Sequence, residues 1–290
     1  MEDKKQDRIT RIEQEVQEVL KSNLLNDTFA SVALEDKETC QYVLRKITGI
    51  KDLKVTYAKG QHRLLNLTSN DSILDVYAVD SSGRQMNIEI QRRDTVDHPR
   101  RTRYYTSSMD KNNLDKGDEY HELPDVYVVY ISESDIWKAG KTIYPVNKFL
   151  GDTSIPYDDG SHVIYANTEV NDGSDVAEML QYFKSANPDD MRFGALSKRV
   201  RFLKTEKGGH EEMSDTFETL WEFGRKEGHD EGRKEGREEG REEGREEGRE
   251  ETKRYMAKKL FAKDNSVDDI AETLDADVAQ VEDWLGLARA

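Results

Sequence analysis

The sequence contains a single cysteine, Cys40, among its 290 residues. An intramolecular disulfide and a Cys-x-x-Cys metal site are therefore both excluded. No apolar run approaches the roughly 18 residues that a membrane span needs. The first residues, MEDKKQDRIT, are charged and lack the apolar segment of a secretory signal. We therefore expect a cytoplasmic protein without a membrane segment.

Apolar side chains are also scarce: 35% of the residues are hydrophobic and 36% are charged. This balance predicts that part of the chain lies outside any core. The net charge of −16 argues against broad non-specific affinity for nucleic acid. The acidic excess lies outside residues 51–150, which are balanced, and residues 201–250 carry a net charge of −6. That balanced region holds six arginines close in sequence, and scattered surface charge is the simplest interpretation of any one of them: Arg84, Arg92, Arg93, Arg100, Arg101 and Arg103.

Residue periodicity predicts an α/β or α+β domain around one central sheet. The helical pattern covers residues 7–21, 36–48 (ending at Gly49), 99–112 (with Pro99 in the first turn) and parts of 174–205. The strand-like runs cover residues 53–57, 73–80, 85–91, 125–132 and 161–167. The predicted core order is helix, three strands, helix, strand.

Residues 224–251 form a tetrapeptide repeat, GRKEGHDEGRKEGREEGREEGREEGREE, with glycine at every fourth position. A glycine inside a helix costs roughly 0.5–1 kcal/mol relative to alanine. Glu–Arg pairs three residues apart contribute about 0.2–0.5 kcal/mol each. This balance disfavours an isolated helix, so any helix here needs support from partners or flanking helices. We interpret the segment as a charged spacer.

The last segment regains an apolar pattern. Ser266 begins a sequence that resembles a capping box, and Ile270 and Leu274 give an apolar face. A helix from about residue 277 is predicted to bury four apolar side chains: Val278, Val281, Trp284 and Leu285. With a helix at 253–262, this is a small helix-turn-helix-like unit. A DNA reader needs basic or amide side chains on its last helix. Only Gln280 qualifies, so a protein contact or oligomerisation is favoured.

The stretch SILDVYAVDSSGRQMNIEIQRR, residues 72–93, has the pattern of a hairpin. If residues 81–83 form a three-residue loop, Asp75 lies directly opposite Glu89. A two-residue loop would instead put the two carboxylates on opposite faces. Gly83 suits the left-handed position that ends a three-residue loop. Because strand residues alternate, Glu89 and Gln91 share a face, and the sequence predicts a polar cluster of Asp75, Glu89 and Gln91.

Two carboxylates directly opposite each other repel. A hard divalent cation would offset that repulsion, and Mg²⁺ takes one or two carboxylates together with water and phosphate oxygens. Such an ion lowers the pKa of a bound water and stabilises charge on a cleaved phosphodiester. The alternative is an edge hairpin whose acids face solvent and pair with Arg84 or Arg92. Spacing alone leaves both interpretations open.

The order Asp75, hairpin, Glu89-x-Gln91 resembles the D…(D/E)xK signature of the PD-(D/E)XK nuclease superfamily. The chain is similar in particular to the transposases and recombination-promoting nucleases of that superfamily, which are found in bacteria. The supporting stretches are NDTF (26–29), DHPRRTRYYTSSMD (97–110), LDKGDEYHELPDVYVVYISESD (114–135), DGSHVIYAN (159–167) and DDMRF (189–193). The resemblance covers about residues 23–225.

The resemblance implies an α/β, restriction-endonuclease-like core made of a helix, a three-strand meander, a helix and a strand. It also implies Mg²⁺-dependent cleavage of DNA, with Mn²⁺ as a substitute ion. Asp75 and Glu89 would be the metal ligands. Gln91 stands where the superfamily has lysine. A neutral amide can hydrogen-bond the attacking water, but it contributes no charge.

Further site residues follow from the same resemblance. A helix acid often joins the metal ligands, and Glu38 is the expected donor, with Glu35 behind it. Arg101, Arg103 and Tyr104 are expected to meet DNA phosphate, with Arg101 and Tyr104 on a shared helix face and Arg103 pointing elsewhere. The alternative is that these side chains pack on the sheet. The role of His162 stays open.

The predicted domains are an N-terminal helix (1–22), a nuclease-like domain (23–205), the charged repeat linker (206–252) and a helix-turn-helix-like module (253–290). The leading function is a DNA endonuclease connected with mobile elements or recombination. The alternative is a catalytically decayed nuclease fold that binds or assembles, with a homo-oligomer or coiled coil formed through the C-terminal repeat and helices. Intact Asp75 and Glu89 favour the enzyme, whereas Gln91 and the acidic total charge favour the alternative.

Overall fold

The structure is a computed structural model that describes residues 10, 12–14, 16–64, 72–92, 96–114, 117 and 119–287. The chain forms two compact units, residues 1–219 and 220–290. The helices of the first unit are α1 (Asp27–Glu35), α2 (Lys37–Thr48), α3 (His98–Lys111), α4 (Asp175–Ser185) and α5 (Ala195–Thr205). Its strands are β1 (Val55–Leu64), β2 (Ser72–Asp80), β3 (Gln85–Gln91), β4 (Val126–Ser132), β5 (Ile143–Pro145) and β6 (Ser161–Asn167). A helix α6 (Lys207–Phe261) follows, and then α7 (Val267–Leu274) and α8 (Val278–Leu285).

Six strands form one mixed sheet in the order β1-β2-β3-β4-β6-β5. Strands β1, β2 and β3 pair antiparallel in succession. The chain then passes through α3 and enters β4, which is parallel to β3. Strand β6 is parallel to β4, and the short β5 pairs antiparallel with β6 at the edge. The predicted α/β class with one central sheet is therefore confirmed.

Helices cover both faces of the sheet. The larger core lies between the sheet and helices α1, α2, α4 and α5, and it includes Phe29, Leu44 and Leu180. On the other face, α3 packs through Tyr105 and Met109 onto residues of β2 and β4. This second face is less apolar, because the β3 residues Asn87 and Glu89 are buried there as polar groups. The sheet thus carries polar chemistry on the α3 side.

Most predicted elements match the observed ones. The helices at 36–48 and 99–112 and four strands agree to within one residue at each end, and residues 174–205 contain two helices, α4 and α5. Of the helix predicted at 7–21, residues 7–9 lie outside the described residues, and the described residues from 10 to 20 are helical. The sequence did not predict α1 or β5.

The first strand is longer than the predicted 53–57. Strand β1 continues to Leu64 through the polar run AKGQHR, which hid the strand pattern. Gly60 lies in this run against helix α1. A Cβ atom there would lie 2.8 Å from the backbone oxygen of Ser31, so the close approach requires glycine.

The hairpin between β2 and β3 has the predicted three-residue loop. Gly83 has φ +83° and donates its N–H to the carbonyl of Asp80 at 3.1 Å. Val76 pairs with Ile88 and Val79 with Gln85, which is the register that an odd loop fixes. This register ends at Val76 and Ile88, so Asp75 and Glu89 are the next residues along the two strands.

The glycine repeat is helical throughout, within α6. The sequence predicted that the repeat would not form a helix in isolation. It forms one here because the helix extends beyond the repeat at both ends. Met213 joins the core of the first unit before the repeat, and Ala257 joins the core of the second unit after it. Both ends of the helix are thus packed, which supports the weak middle.

The second unit packs the end of α6 with α7 and α8 around Ile270, Val281 and Trp284. Ser266 caps α7, because its hydroxyl accepts the N–H of Asp269. The expectation that Val278 is buried is wrong, since 43% of it is exposed at the first position of α8. Among the described residues, no helix combines the length and apolar character needed to cross a membrane.

Candidate active site

Asp75 and Glu89 lie where the β2–β3 ladder ends. The last regular pair is Val76 with Ile88. Beyond it, the carboxylates replace backbone acceptors. The Ile90 N–H donates to Oδ2 of Asp75 at 2.8 Å, and the Asp75 N–H donates to Oε1 of Glu89 at 3.4 Å. The structure therefore brings the two predicted acids together across adjacent strands.

Both acids are electrostatically perturbed. Burial raises the pKa of Asp75 to about 6, and the charge of Asp27 adds to the rise, whereas the Ile90 N–H and Arg101 oppose it. Burial and then the charge of Asp75 raise the pKa of Glu89 to about 8, against hydrogen bonds from Asn87 and Tyr105. Two neighbouring carboxylates with raised pKa values, one of them raised by the charge of the other, are typical of functional sites.

Polar neighbours hold Glu89 in place. Its side chain is only 4% exposed. Nδ2 of Asn87, two residues earlier on the same strand, donates to Oε1 of Glu89 at 2.7 Å. The hydroxyl of Tyr105, on α3, also hydrogen-bonds Glu89. Asn87 is fully buried, and its Oδ1 atom has no hydrogen-bond partner among the described residues.

Together with burial, the charge of the helix acid Asp27 raises the pKa of Asp75. Asp27 is the first residue of α1, and its charge acts on Asp75. Glu38 instead lines a cavity of about 560 Å³ with Gln41 and Lys51, among others. Among the described residues, no hydrogen bond or ion pair joins Glu38 to Asp75 or Glu89. Glu35 forms an ion pair with Lys59. The role expected for Glu38 stays a prediction, and Asp27, on a helix that the sequence did not predict, is a second candidate for the helix acid.

Gln91 is tied to helix α3. Nη1 of Arg101 donates to Oε1 of Gln91 at 3.2 Å, and Nη2 of Arg101 donates to the Tyr105 hydroxyl at 3.1 Å. Arg101 is half-buried, and it lowers the pKa of Asp75. The sequence placed Arg101 among DNA contacts, but it did not indicate this contact with the strand.

The exposed part of α3 borders an open cavity of about 530 Å³. Its lining residues are Ile73, Arg100, Arg101, Arg103, Tyr104, Tyr105 and Ser107. Arg103, which was expected to point away from Arg101 and Tyr104, borders the same cavity as those two residues. The exposed Tyr104 offers a ring, and the arginines offer positive charge beside the acid pair.

The solvent-facing alternative for the hairpin acids is not what the structure shows. Arg84 pairs with Asp80 and Asp52, and Arg92 donates to Asn23. Neither pairing involves Asp75 or Glu89. His162 stacks on Tyr127 with a ring separation of 4.4 Å, which gives it a packing role on strand β6.

A metal ion at this site would need water or substrate oxygens among its ligands, because the part of the chain that the structure describes offers too few. Among the described residues, no group of three or more His, Cys, Asp or Glu side chains is arranged to hold a metal ion. Two coupled carboxylates suit a cation that keeps water and substrate oxygens as its other ligands, as Mg²⁺ does. Asp75 and Glu89 are therefore the residues that could hold such an ion, and Asp27 adds negative charge nearby.

A mixed sheet carries a buried and a half-buried acid at the end of a hairpin ladder, beside an arginine-bearing helix. This arrangement defines a candidate hydrolytic site in an α/β protein. Residues 34–159 match the family model described as PD-(D/E)XK nuclease family transposase. The resemblance predicted from the motifs is thus confirmed over this segment, which contains Asp75, Glu89, Gln91 and α3 but not Asp27. No curated protein and no solved structure matches the chain.

Proposed function

We propose that this protein is a divalent-metal-dependent endonuclease that hydrolyses phosphodiester bonds in DNA, in connection with mobile elements or recombination. The observation that carries the proposal is the pair formed by Asp75 and Glu89. Their backbone hydrogen bonds fix the two carboxylates together, and their mutual repulsion favours a cation between them. The family match supports a nuclease-like or transposase-like role for the same segment. The proposed core is the restriction-endonuclease-like arrangement of α2, β1–β3, α3 and β4.

The reaction adds one water across a P–O bond. The water oxygen forms a new bond to phosphorus and its proton passes to solvent, while the broken P–O bond leaves an alkoxide that takes a proton from solvent. A bound Mg²⁺ or Mn²⁺ supplies Lewis-acid charge to this exchange. Asp75 and Glu89 would hold the ion, and Asn87 and Tyr105 orient Glu89. The amide nitrogen of Gln91 can donate a hydrogen bond, since its oxygen already accepts one from Arg101.

The DNA is proposed to lie along helix α3. Arg100 and Arg103 are exposed there beside the acid pair, and Tyr104 is 45% exposed. Exposed arginines suit phosphate oxygens, and an exposed ring suits a sugar or a base. This local surface has the charge that the acidic chain as a whole lacks.

Nicking of supercoiled plasmid tests the proposal. The parent protein should nick with Mg²⁺ or Mn²⁺ and should stop in EDTA. Asp75→Asn and Glu89→Gln should abolish nicking while the protein stays folded, because each change removes a repelling charge. Asp52→Asn, a matched change at an exposed carboxylate, should keep the parent rate. Nicking by a purified double variant of Asp75 and Glu89 at the parent rate would place the site elsewhere.

The alternative is a nuclease fold that only binds or assembles. The neutral Gln91 favours it, and so does helix α6, which offers a long arm for a homo-oligomer. This alternative predicts no nicking with either ion, and a molar mass above that of the monomer that falls when residues 220–290 are removed. Light scattering on both forms measures that mass.

A further inference from the structure

Position 91 lacks the positive charge that the family signature places there. Gln91 follows Glu89 by two residues on β3 and is neutral. A guanidinium nevertheless lies against it, because Nη1 of Arg101 donates to its Oε1 atom at 3.2 Å. The amide orientation is fixed by chemistry, since a guanidinium offers only donors and must face the oxygen. The charge missing from the strand is thus present beside the strand, on helix α3.

Arg101 is held rather than free. Its second terminal nitrogen donates to the hydroxyl of Tyr105 at 3.1 Å. Tyr105 is itself buried and bonds to Glu89. A chain of hydrogen bonds therefore runs from Gln91 through Arg101 and Tyr105 to Glu89. Such a chain fixes the position of the guanidinium relative to the acid pair before any substrate arrives.

The same guanidinium also borders open space. Arg101 lines the cavity of about 530 Å³ together with Arg100 and Tyr104. The described hydrogen bonds use two of its five N–H donors. The others are available to an anion that enters the cavity next to Asp75 and Glu89. Arginine also stays charged at any relevant pH and binds phosphate oxygens through two parallel donors.

We propose that Arg101 is a catalytic residue that supplies, from helix α3, the positive charge that a lysine at position 91 would supply from strand β3. This inference rests on the proposed phosphodiester hydrolysis. When the water oxygen bonds to phosphorus, negative charge grows on the non-bridging oxygens until the P–O bond to the leaving group breaks. Arg101 contacts one of these oxygens and stabilises that charge. Gln91 acts by holding Arg101.

Arg101 therefore differs from its neighbours Arg100 and Arg103. Those side chains are exposed and serve to bind the DNA backbone. Loss of Arg103 should raise KM and leave kcat close to the parent value. Loss of Arg101 should lower kcat strongly and weaken DNA binding to a smaller extent, because a fixed charge acts on the transition state more than on the bound phosphate.

Plasmid nicking by four variants tests this assignment. Arg101→Met keeps the apolar stem and removes the charge, and it should lower kcat by about 10²- to 10³-fold. Arg101→Lys should keep part of the rate. Arg103→Met is the matched control on the same helix. In the double variant Arg101→Met with Gln91→Lys, the new lysine should restore most of the lost kcat. The proposal is overturned if Gln91→Lys does not raise kcat in the Arg101→Met background. It is also overturned if Gln91→Lys raises kcat equally in the Arg103→Met background.

Binding without chemistry separates this proposal from the proposed function. In Ca²⁺ buffer, the anisotropy of a fluorescein-labelled DNA duplex reports affinity. Gln91→Lys should restore the affinity lost in Arg101→Met and should not restore that lost in Arg103→Met. Suppose that the parent protein fails to nick while Gln91→Lys still restores DNA affinity only in Arg101→Met. In that case the nuclease function is wrong, and the inference that Arg101 supplies the positive charge missing at position 91 stands. If rescue is absent or unselective, the role of Arg101 fails even where the parent nicks. Melting temperatures confirm that each variant is folded.

Discussion

The backbone N–H of Asp75 donates a hydrogen bond of 3.4 Å to Oε1 of Glu89, on the neighbouring strand. In return, the carboxylate of Asp75 accepts the N–H of Ile90, the residue after Glu89. Each carboxylate thus accepts a backbone N–H that a carbonyl of the neighbouring strand would accept in a regular ladder. The pair is preformed by the backbone, so the protein has to tolerate two neighbouring carboxylates even without a metal.

This arrangement predicts that the metal-free protein loses stability as pH rises. Ordinary carboxyl pKa values lie near 4, whereas those of Asp75 and Glu89 are raised to about 6 and about 8. Between about pH 4 and pH 8 the folded state therefore holds more protons than the unfolded state. The free energy of unfolding decreases with pH across that window. Urea unfolding in EDTA from about pH 5 to pH 8 measures it.

Glu89→Gln is the control for this pH dependence, because it removes the group whose pKa is raised most. The variant should show a flatter profile and should be more stable than the parent at about pH 8. If the free energy of unfolding of the parent protein rose toward pH 8, the pKa values of Asp75 and Glu89 would not be raised as described.

Asp27 and Glu38 form a matched test of the helix acid. Asp27→Asn should lower the pKa of Asp75, weaken Mn²⁺ binding and slow nicking, because its charge acts on Asp75. Glu38→Gln should change neither Mn²⁺ binding nor the nicking rate, since Glu38 borders another cavity. Calorimetric titration with Mn²⁺ and the plasmid assay give the two readouts. If only Glu38→Gln weakened Mn²⁺ binding and nicking, the helix acid of the site would be Glu38 on α2 and not Asp27 on α1.

Asn87 should control metal affinity through Glu89. Asn87→Ala removes the 2.7 Å donor to Oε1 of Glu89, and loss of such an outer partner typically costs about 10- to 100-fold in metal affinity or activity. Asn113→Ala is the control, because Asn113 lies outside the sheet and donates a hydrogen bond to Gln85, which is on β3 like Asn87 and Glu89. Mn²⁺ titration compares the two variants, and equal losses would show that β3 as a whole, not Glu89, had been disturbed.

The sequence predicted the hairpin well, for a physical reason. A three-residue loop with glycine at its left-handed position fixes the register, and that register puts Asp75 and Glu89 just beyond its last pair, Val76 with Ile88. Strands β3 and β6 were predicted to the residue, since alternating or β-branched runs have clear ends.

Helix α1 was missed for an equally physical reason. Its residues 29–34 are all buried, so no polar face marks a helical period. The Asn26 cap before this run was the available signal. Without α1, Asp27 was not considered as a helix acid, and Glu38 was the expected donor, with Glu35 behind it. The contact of Arg101 with Gln91 depends on how α3 lies on β3, which spacing along one chain does not reveal.

The glycine repeat gives the last prediction. Alanine at Gly236, Gly240 or Gly244 would meet no atom within 4 Å, so each site in α6 has room for a methyl group. Each change should stabilise the helix by about 0.5–1 kcal/mol, because glycine loses more backbone entropy than alanine. Circular dichroism of the triple variant should show a stronger helical signal that melts at a higher temperature.

Gly60→Ala is the contrasting substitution. Its Cβ atom would lie 2.8 Å from the oxygen of Ser31, so the same chemical change should destabilise the first unit. If the three alanines of the repeat left both the helical signal and its melting unchanged, glycine would not limit this helix. The packed ends at Met213 and Ala257 would then hold the segment regardless of its composition.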